Sequence, residues 1–220
     1  MRIRINFAKT EAMRYTSHLD LHRTLERTIR RAALPLAYSQ GFRPHPRINL
    51  AFALPLGFTS ECEFADIWLE TKLPLDSIRT SLAAASPPGI SINFIEHVLL
   101  DLPALQSSLL AAEYQITFMS PIPDLSRRIE NVLESTSLPR IRHGKTYDLR
   151  SLISELKPLT SDSDPLQSIL VQLSAMEGAT GRPEEVVLAM GADPHEARVH
   201  RVQLIFNNYQ RSLPSNGNPI

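Results

Sequence analysis

Polar and apolar residues alternate along the first few positions of the chain, and a helical period replaces this alternation soon afterwards. Residues 2–8 alternate as a strand with three apolar side chains on one face. The opposite face holds Arg2, Arg4 and Asn6, and the pattern predicts that this face is solvent-exposed and positive. Ser17, with an acidic residue three positions later, then marks a capping-box-like helix start.

The predicted helix occupies residues 16–34 and ends before Pro35. Its apolar stripe comprises Leu19, Leu25, Ile29 and Ala32. Its opposite, basic face comprises Arg23, Arg27, Arg30 and Arg31. A solvated charged face is the ordinary explanation for such a run, and a binding surface is the alternative.

The rest of the pattern predicts two halves of the chain with the same order of strands and helices. In the first half come an apolar stretch at 48–54, a strand at 63–70, a helix at about 75–85 and a strand at 90–98. The second half has strands at 113–119, 168–175 and 198–206 and helices at 124–135 and 181–191. In the last strand, alternation directs Arg201 outward.

The βαββαβ order predicts an α+β fold of two tandem ferredoxin-like sandwiches, each with an antiparallel sheet and helices on one face. We expect one domain over residues 1–105, a second over 106–208 and a disordered tail over 209–220. The open face of such a sheet is a common docking site for single-stranded RNA, although a fold alone does not establish function.

Charge is distributed unevenly along a chain whose formal net charge is zero. Residues 1–50 hold ten Lys or Arg against three Asp or Glu, whereas residues 51–110 hold two against seven. Clustered positive charge attracts phosphate groups. The chain begins without a signal-peptide pattern and has no apolar run of the roughly 18–20 residues that span a bilayer. We therefore expect a cytoplasmic protein without membrane contact.

The stretch YSQGFRPHPRINLAFALPLG, residues 38–57, places cations in a loop before an apolar segment. Gly41 permits a tight turn, and two prolines keep the neighbouring backbone extended. The side chains predicted to project from this stiff loop are Arg43, His45 and Arg47. Alternatively, the two arginines pair with carboxylates of residues 61–70 and fix the loop to the sheet.

The predicted nucleic-acid-binding surface combines these basic groups. In the first half it comprises Arg2, Arg4, Arg23, Arg27, Arg30, Arg31, Arg43, His45 and Arg47. A second basic insertion, residues 138–159, contributes Arg142 and Lys145, or else forms only a solvated hairpin.

Weaker candidates for catalysis and for metal binding lie in the same region. A metal-free ribonuclease needs a general acid and base, for which the candidates are Tyr15, His18 and His45. His18 and His22 have the spacing that lets two imidazoles hold one metal ion, but no third ligand is identifiable. Seven scattered histidines are weak evidence. We expect no catalysis by this chain alone, no bound metal and no cofactor.

Residues 15–57, YTSHLDLHRTLERTIRRAALPLAYSQGFRPHPRINLAFALPLG, resemble the signature of the radical-SAM-linked family, a bacterial domain of unknown function. IRHGKTYDLR and GATGRPEEVVLAMG are further recognisable pieces. Members of that family occur alone or attached C-terminally to a radical SAM protein with a cobalamin-binding region. With one cysteine, Cys62, the chain lacks the Cys-x3-Cys-x2-Cys cluster of the enzymes. The resemblance therefore implies an accessory domain beside a radical SAM partner.

Three hypotheses follow. The first is an RNA-binding or substrate-presenting module that acts with the radical SAM protein. The second is a docking module that contacts this partner without nucleic acid, supported by the acidic stretch 61–76 and by apolar residues expected to be exposed at 50–57. The third, from a looser architectural likeness to the repeat-processing enzymes of CRISPR systems, is a metal-independent endoribonuclease.

Overall fold

A computed structural model describes residues 1–142, 144–159 and 166–207. The predicted tail at 209–220 lies outside these residues. The strands are β1 (Arg2–Lys9), β2 (Ile48–Leu50), β3 (Thr59–Trp68), β4 (Ile90–Val98), β5 (Leu109–Phe118), β6 (Pro139–Arg142), β7 (Lys145–Asp148), β8 (Ile153–Leu159), β9 (Ser168–Met176), β10 (Ala179–Thr180) and β11 (Ala197–Phe206). The helices are α1 (His18–Arg31), α2 (Leu75–Ala85), α3 (Leu105–Ser108), α4 (Leu125–Glu134) and α5 (Pro183–Ala189).

One nine-stranded, mostly antiparallel sheet runs through both halves of the described chain. The first half has the order β4-β1-β3-β2, and the second half has the order β11-β5-β9-β8. If β6, β7 and β10 are left out of the count, the four strands of each set lie in the order fourth, first, third, second. A short parallel pairing of β11 with β3 joins the two sets. The α+β class is confirmed, whereas the division into two ferredoxin-like domains stays a prediction.

The strand β8 lies in the second basic insertion, where the residue pattern predicts no strand. A register shift between Ile153 and Glu155 interrupts its pairing with β9. Buried Ile153 and Leu156 are consequently three positions apart, and the two-residue alternation of a regular strand is lost.

The core of the first half lies between β1 and the helices α1 and α2. The three apolar residues of β1 pack in one cluster with Leu21, Leu25 and Ile29 of α1 and with two residues of α2. Leu21 therefore takes the place in the core that the sequence pattern assigns to Leu19, which is 68% exposed. The helix begins as predicted, because Ser17 Oγ accepts a hydrogen bond from the backbone N–H of Asp20 at 3.2 Å.

A second core cluster crosses from one half to the other. Phe64 of β3 packs edge-to-face against Phe206 of β11 with ring centroids 5.3 Å apart, and Phe58 makes a similar contact with Tyr114 of β5. Leu50, Ala51 and Leu54 are also buried, so the exposure expected for the apolar residues at 50–57 is wrong for these three, whereas Leu56 is exposed. Among the described residues, no helix is long and apolar enough to cross a membrane.

Candidate nucleic-acid interface

The two arginines of β1 are buried, which contradicts the predicted positive, solvent-exposed face of this strand. Arg2 and Arg4 are only 2% and 7% exposed. Arg2 Nη2 lies 2.6 Å from Asp66 Oδ2, and Arg4 Nε lies 2.8 Å from Asp66 Oδ1. The antiparallel register places Arg4 directly opposite Asp66 of β3. One buried carboxylate therefore compensates part of the charge of both guanidinium groups.

The segment between the two halves covers Arg2. Arg2 Nη1 donates to the carbonyl oxygen of Leu102 at 2.6 Å, and Arg2 Nη2 donates to that of Pro103 at 2.9 Å. The ring of Trp68 lies 5.0 Å from the guanidinium carbon of Arg2. A phosphate group cannot reach Arg2 without displacing this cover, and Arg4 is buried against Asp66, so both arginines have a structural role.

The basic face of α1, in contrast, is exposed. Its four arginines lie opposite the buried residues of the helix: Arg23, Arg27, Arg30 and Arg31. Arg23 is paired with Asp20 at 3.1 Å and Arg30 with Glu26 at 2.8 Å, both on the surface of the same helix. Exposed pairs of this kind contribute about 0–1 kcal/mol, so a phosphate can compete for these arginines.

Two arginines of α1 have no salt-bridge partner within the described residues, and they lie side by side. Arg27 and Arg31 are one turn apart and line a common cavity of about 530 Å³ together with Met13, Thr24 and Pro87. Positive groups without carboxylate partners beside an open cleft form a suitable site for an anion.

The loop that follows α1 is closed at its base by backbone hydrogen bonds. The N–H of Ser39 donates to the carbonyl of His45 at 2.8 Å, and the N–H of His45 donates to Ser39 Oγ at 2.9 Å. The tip contains Gly41, with φ of 132°, and Phe42, whose side chain is fully exposed. A closed base and a protruding tip agree with the predicted projecting loop.

The predicted alternative, pairing of the loop arginines with carboxylates of residues 61–70, is not seen in the part of the chain that the structure describes. Arg43 is exposed there without a salt bridge. The guanidinium group of Arg47 lies over the ring of Trp68 at 4.7 Å, a contact that retains its positive charge.

The loop and the helix meet at one point. Arg30 Nη2 donates to the hydroxyl of Tyr38 at 2.6 Å, and the guanidinium carbon lies 5.7 Å from the centre of the Tyr38 ring. Tyr38 is at the base of the loop, opposite Pro46. The helix–loop surface is defined here as Arg23, Arg27, Arg30, Arg31, Arg43, His45 and Arg47.

The second-half candidates have different surroundings. Arg142 Nη2 lies 2.8 Å from the hydroxyl of Tyr147 and 3.2 Å from the carboxylate of Glu185. The hydroxyl of Tyr147 also donates to Glu185. Burial and this neighbouring carboxylate raise the pKa of Tyr147. Arg142 thus fastens the hairpin β6–β7 to α5, while Lys145 is exposed.

The catalytic candidates do not form an acid–base pair. No hydrogen bond joins Tyr15, His18 and His45 within the described residues. Burial lowers the pKa of His18, and its Nδ1 atom is covered without a partner among these residues. His22 Nε2 lies 3.2 Å from the carbonyl oxygen of Ile48. In the same part of the chain, no group of three His, Cys, Asp or Glu residues is arranged to hold a metal ion.

A buried ionic contact at the junction of the halves is missed by the sequence pattern. Arg201 is fully buried, contrary to its predicted outward position, and its Nη1 lies 2.8 Å from Glu63 Oε1 of β3. Nearby, the ammonium group of Lys9 donates to the carbonyl oxygens of Arg14 and Phe58. Burial lowers the pKa of Lys9. A register shift between Arg201 and Gln203 breaks the alternation of β11, so Val199 and Arg201 are buried before it and Leu204 and Phe206 after it.

Comparison with known proteins gives one family and a set of distant structural likenesses. The family model described as "Uncharacterized protein conserved in bacteria (DUF2344)" matches residues 2–183. No match was found among curated proteins.

Three solved structures with similarity to the chain are the following. A Cbf5-Nop10-Gar1 complex gives a TM-score of 0.48 at 11% identity, over 94% of this chain and 50% of that chain. An archaeal box H/ACA sRNP Nop10-Cbf5 complex gives 0.44 at 13% identity, over 94% and 49%. An H/ACA RNP bound to a substrate RNA containing 2'-deoxyuridine gives 0.45 at 11% identity, over 92% and 47%. This chain spans about half the length of these chains, and such TM-scores do not establish a common fold.

Proposed function

The chain belongs to DUF2344, a family of uncharacterized proteins conserved in bacteria, and we propose that it is an RNA-binding module that presents its RNA to a radical SAM enzyme. The helix–loop surface is the proposed contact with RNA. The part assigned to the enzyme partner rests on the resemblance of residues 15–57 to radical-SAM-linked proteins.

The observation that carries this proposal is a set of exposed cations without carboxylate partners. Within the described residues Arg27, Arg31, Arg43 and Arg47 form no salt bridge, and Phe42 protrudes beside Arg43. Cations and exposed aromatic rings are the two kinds of group that bind single-stranded RNA, because cations contact the phosphates and aromatic rings stack on the bases.

The structure weakens the competing docking hypothesis. Its sequence support was acidic charge at 61–76 and apolar exposure at 50–57, but Glu63 and Asp66 are buried in ion pairs with arginines. The apolar residues Leu50 and Leu54 belong to the core. Part of each segment is thus withdrawn from the surface, while Glu61, Glu70, Asp76 and Leu56 stay exposed.

Binding of a labelled single-stranded RNA tests the proposal directly. We expect Arg43→Glu combined with Arg47→Glu to weaken binding by about tenfold or more, because two cations are replaced by two anions at the contact. Arg79→Glu combined with Arg127→Glu is the matched control, since these exposed arginines lie on α2 and α4, outside the helix–loop surface. An equal loss in the control, or no RNA binding by the unaltered chain, would contradict the proposal.

A capture experiment separately tests the proposed association with a radical SAM enzyme. A tagged chain is incubated with a radical SAM protein of the same organism, with and without ribonuclease. We expect capture that depends on intact RNA or increases with it; capture that ribonuclease leaves unchanged would favour direct docking.

A further inference from the structure

Three leucines are exposed in one turn between β4 and α3. The leucine turn is defined here as residues 99–102, in which Leu99, Leu100 and Leu102 are 59%, 70% and 48% exposed. Single exposed leucines are ordinary on a protein surface, but several in one short stretch form an apolar patch of the kind that marks an interaction site. Asp101 lies among them, is exposed, and forms no salt bridge within the described residues. The turn is therefore an apolar contact surface with one unpaired negative charge.

Arg2 holds the leucine turn in place from the inside. Its Nη1 atom donates to the carbonyl oxygens of Leu102 at 2.6 Å and of Leu99 at 3.4 Å. The backbone N–H of Leu102 donates to the carbonyl oxygen of Leu99 at 3.4 Å. Because Asp66 in turn fixes Arg2, the turn is preorganised. A preorganised surface loses little conformational freedom when it binds.

A cavity of about 550 Å³, where the two halves of the protein meet, has the complementary apolar character. Its exposed apolar lining residues are Tyr15, Leu56 and Met119. Its size is within the roughly 300–1,000 Å³ of most binding pockets. The cavity can therefore receive apolar side chains of another molecule.

The charged groups that line the cavity leave positive charge unpaired. Glu11 is matched by Arg14, whose guanidinium group donates to its carboxylate at 2.7 Å. This hydrogen bond lowers the pKa of Glu11, and the charge of Arg198 adds to the shift. Glu184, the other lining carboxyl group, is half-buried, and burial raises its pKa. In the described part of the chain, Arg198 forms no salt bridge and the imidazole of His195 has no hydrogen-bond partner, so both can receive an acidic side chain.

The leucine turn and the cavity lie at opposite ends of β1. The turn follows Val98, which pairs with Arg2 at the first residue of β1. At the last residue of β1, the ammonium group of Lys9 donates to the carbonyl oxygens of Arg14 and Phe58, which both line the cavity. A strand of eight residues spans roughly 23 Å. The turn consequently cannot enter the cavity of its own chain.

We propose that the protein associates head to tail, with the leucine turn of one copy in the cavity of a second copy and Asp101 beside Arg198 and His195. Apolar side chains then cover an apolar lining, and the unpaired negative charge meets the unpaired positive groups. The two surfaces differ, so the contact is heterologous, and further copies add in a row or close into a ring. The inference goes beyond the proposed function and does not depend on RNA.

The mass of the nuclease-treated full chain in solution tests this association. By light scattering or sedimentation, we expect the average mass to rise with concentration, with a dissociation constant on the order of 10–100 μM because the contact is small. Leu100→Glu in the turn and Leu56→Glu in the cavity should each leave the protein monomeric. Ile141→Glu is the matched control, since Ile141 is an equally exposed apolar residue of β6 outside both surfaces, and it should associate like the unaltered chain.

A mixture of the two monomeric variants tests the head-to-tail arrangement. Leu100→Glu keeps an intact cavity and Leu56→Glu keeps an intact turn, so the mixture should form a dimer with one copy of each and stop there. A symmetrical contact between two leucine turns would instead leave Leu56→Glu associated and give no such mixed dimer, which would overturn the inference.

Exchange of charges tests the pairing of Asp101 with Arg198. Asp101→Arg and Arg198→Asp should each weaken association by about tenfold or more, and the double variant should recover most of the loss because opposite charges face each other again. A double variant no better than the single ones, or an unaltered chain that stays monomeric up to about 1 mM, would overturn the inference. Arg43→Glu with Arg47→Glu should lose RNA and keep the association, so failure of RNA binding leaves this test unaffected.

Discussion

The arginines of β1 and those of the helix–loop surface come from the same basic segment, yet the protein uses them in opposite ways. Arg2 and Arg4 are buried against Asp66, whereas Arg27 and Arg43 are exposed without salt bridges within the described residues. Burying a charge is costly unless it is paired, while an exposed charge needs no partner. Charge along a sequence therefore does not reveal how much of it reaches the surface.

The largest expected effect comes from removing the carboxylate that the buried arginines share. Within the described residues, Asp66→Asn leaves buried Arg2 without a carboxylate partner and Arg4 with Glu96, 3.9 Å away, and we expect the free energy of unfolding to fall by about 3–5 kcal/mol. Denaturant unfolding monitored by circular dichroism measures this change. If Asp66→Asn cost less than about 1 kcal/mol, the inference that buried Arg2 and Arg4 depend on Asp66 would be wrong.

The thiol of Cys62 probes the same buried strand. Burial, reinforced by the nearby carboxylate of Glu63, raises the pKa of Cys62 to about 12. At pH 8 its reactive thiolate should be about a thousandfold scarcer than in an unfolded chain, since the thiolate is the nucleophile. We expect labelling by iodoacetamide to be correspondingly slow in the native protein and fast in denaturant. Comparable rates in both conditions would show that β3 is accessible.

The exposed arginines of α1 should affect binding without affecting stability. We expect Arg27→Glu with Arg31→Glu to weaken RNA binding by about tenfold, because both side chains flank one open cleft. The free energy of unfolding should change by less than about 0.5 kcal/mol, as is usual for surface substitutions. A large loss of stability would instead assign these residues to the fold.

The smallest effect is expected at the exposed ion pair of α1. Glu26→Gln removes the partner of Arg30 and should cost no more than about 0.5 kcal/mol in the free energy of unfolding. The same change frees a cation, so RNA affinity should rise slightly, by about twofold. A fall in affinity would exclude Arg30 from the RNA contact. The difference between the losses of unfolding free energy in Glu26→Gln and in Asp66→Asn measures how much more the buried carboxylate contributes than the exposed one.

Local signals predict much of the first half. Ser17 caps α1 by accepting a hydrogen bond from the backbone N–H of Asp20, three residues later. The spacing of three and four residues between apolar positions identifies most of the buried side of α1. Both features depend on positions that are close in sequence. The salt bridge of Arg4 with Asp66 joins residues 62 positions apart, and only the sheet register brings them together.

Irregular backbone accounts for two further differences between the sequence pattern and the structure. Arg201 and β8 both lie next to register shifts, where alternation no longer indicates which side of a strand is buried. Tyr15 and Arg198, which line the cavity between the halves, are far apart in the sequence, so no local motif predicts this cavity. The loop, by contrast, is readable from Gly41 and its prolines, because turn chemistry is local.

The salt dependence of RNA binding tests most directly whether the helix–loop surface contacts the phosphate backbone. For single-stranded RNA, the logarithm of the binding constant should fall with the logarithm of the salt concentration at a slope of about −0.7 for each phosphate contact. We predict a slope of about −4 for the unaltered chain, reduced in magnitude by about 1.4 in Arg43→Gln with Arg47→Gln. A slope near zero, or one that this variant leaves unchanged, would contradict the account.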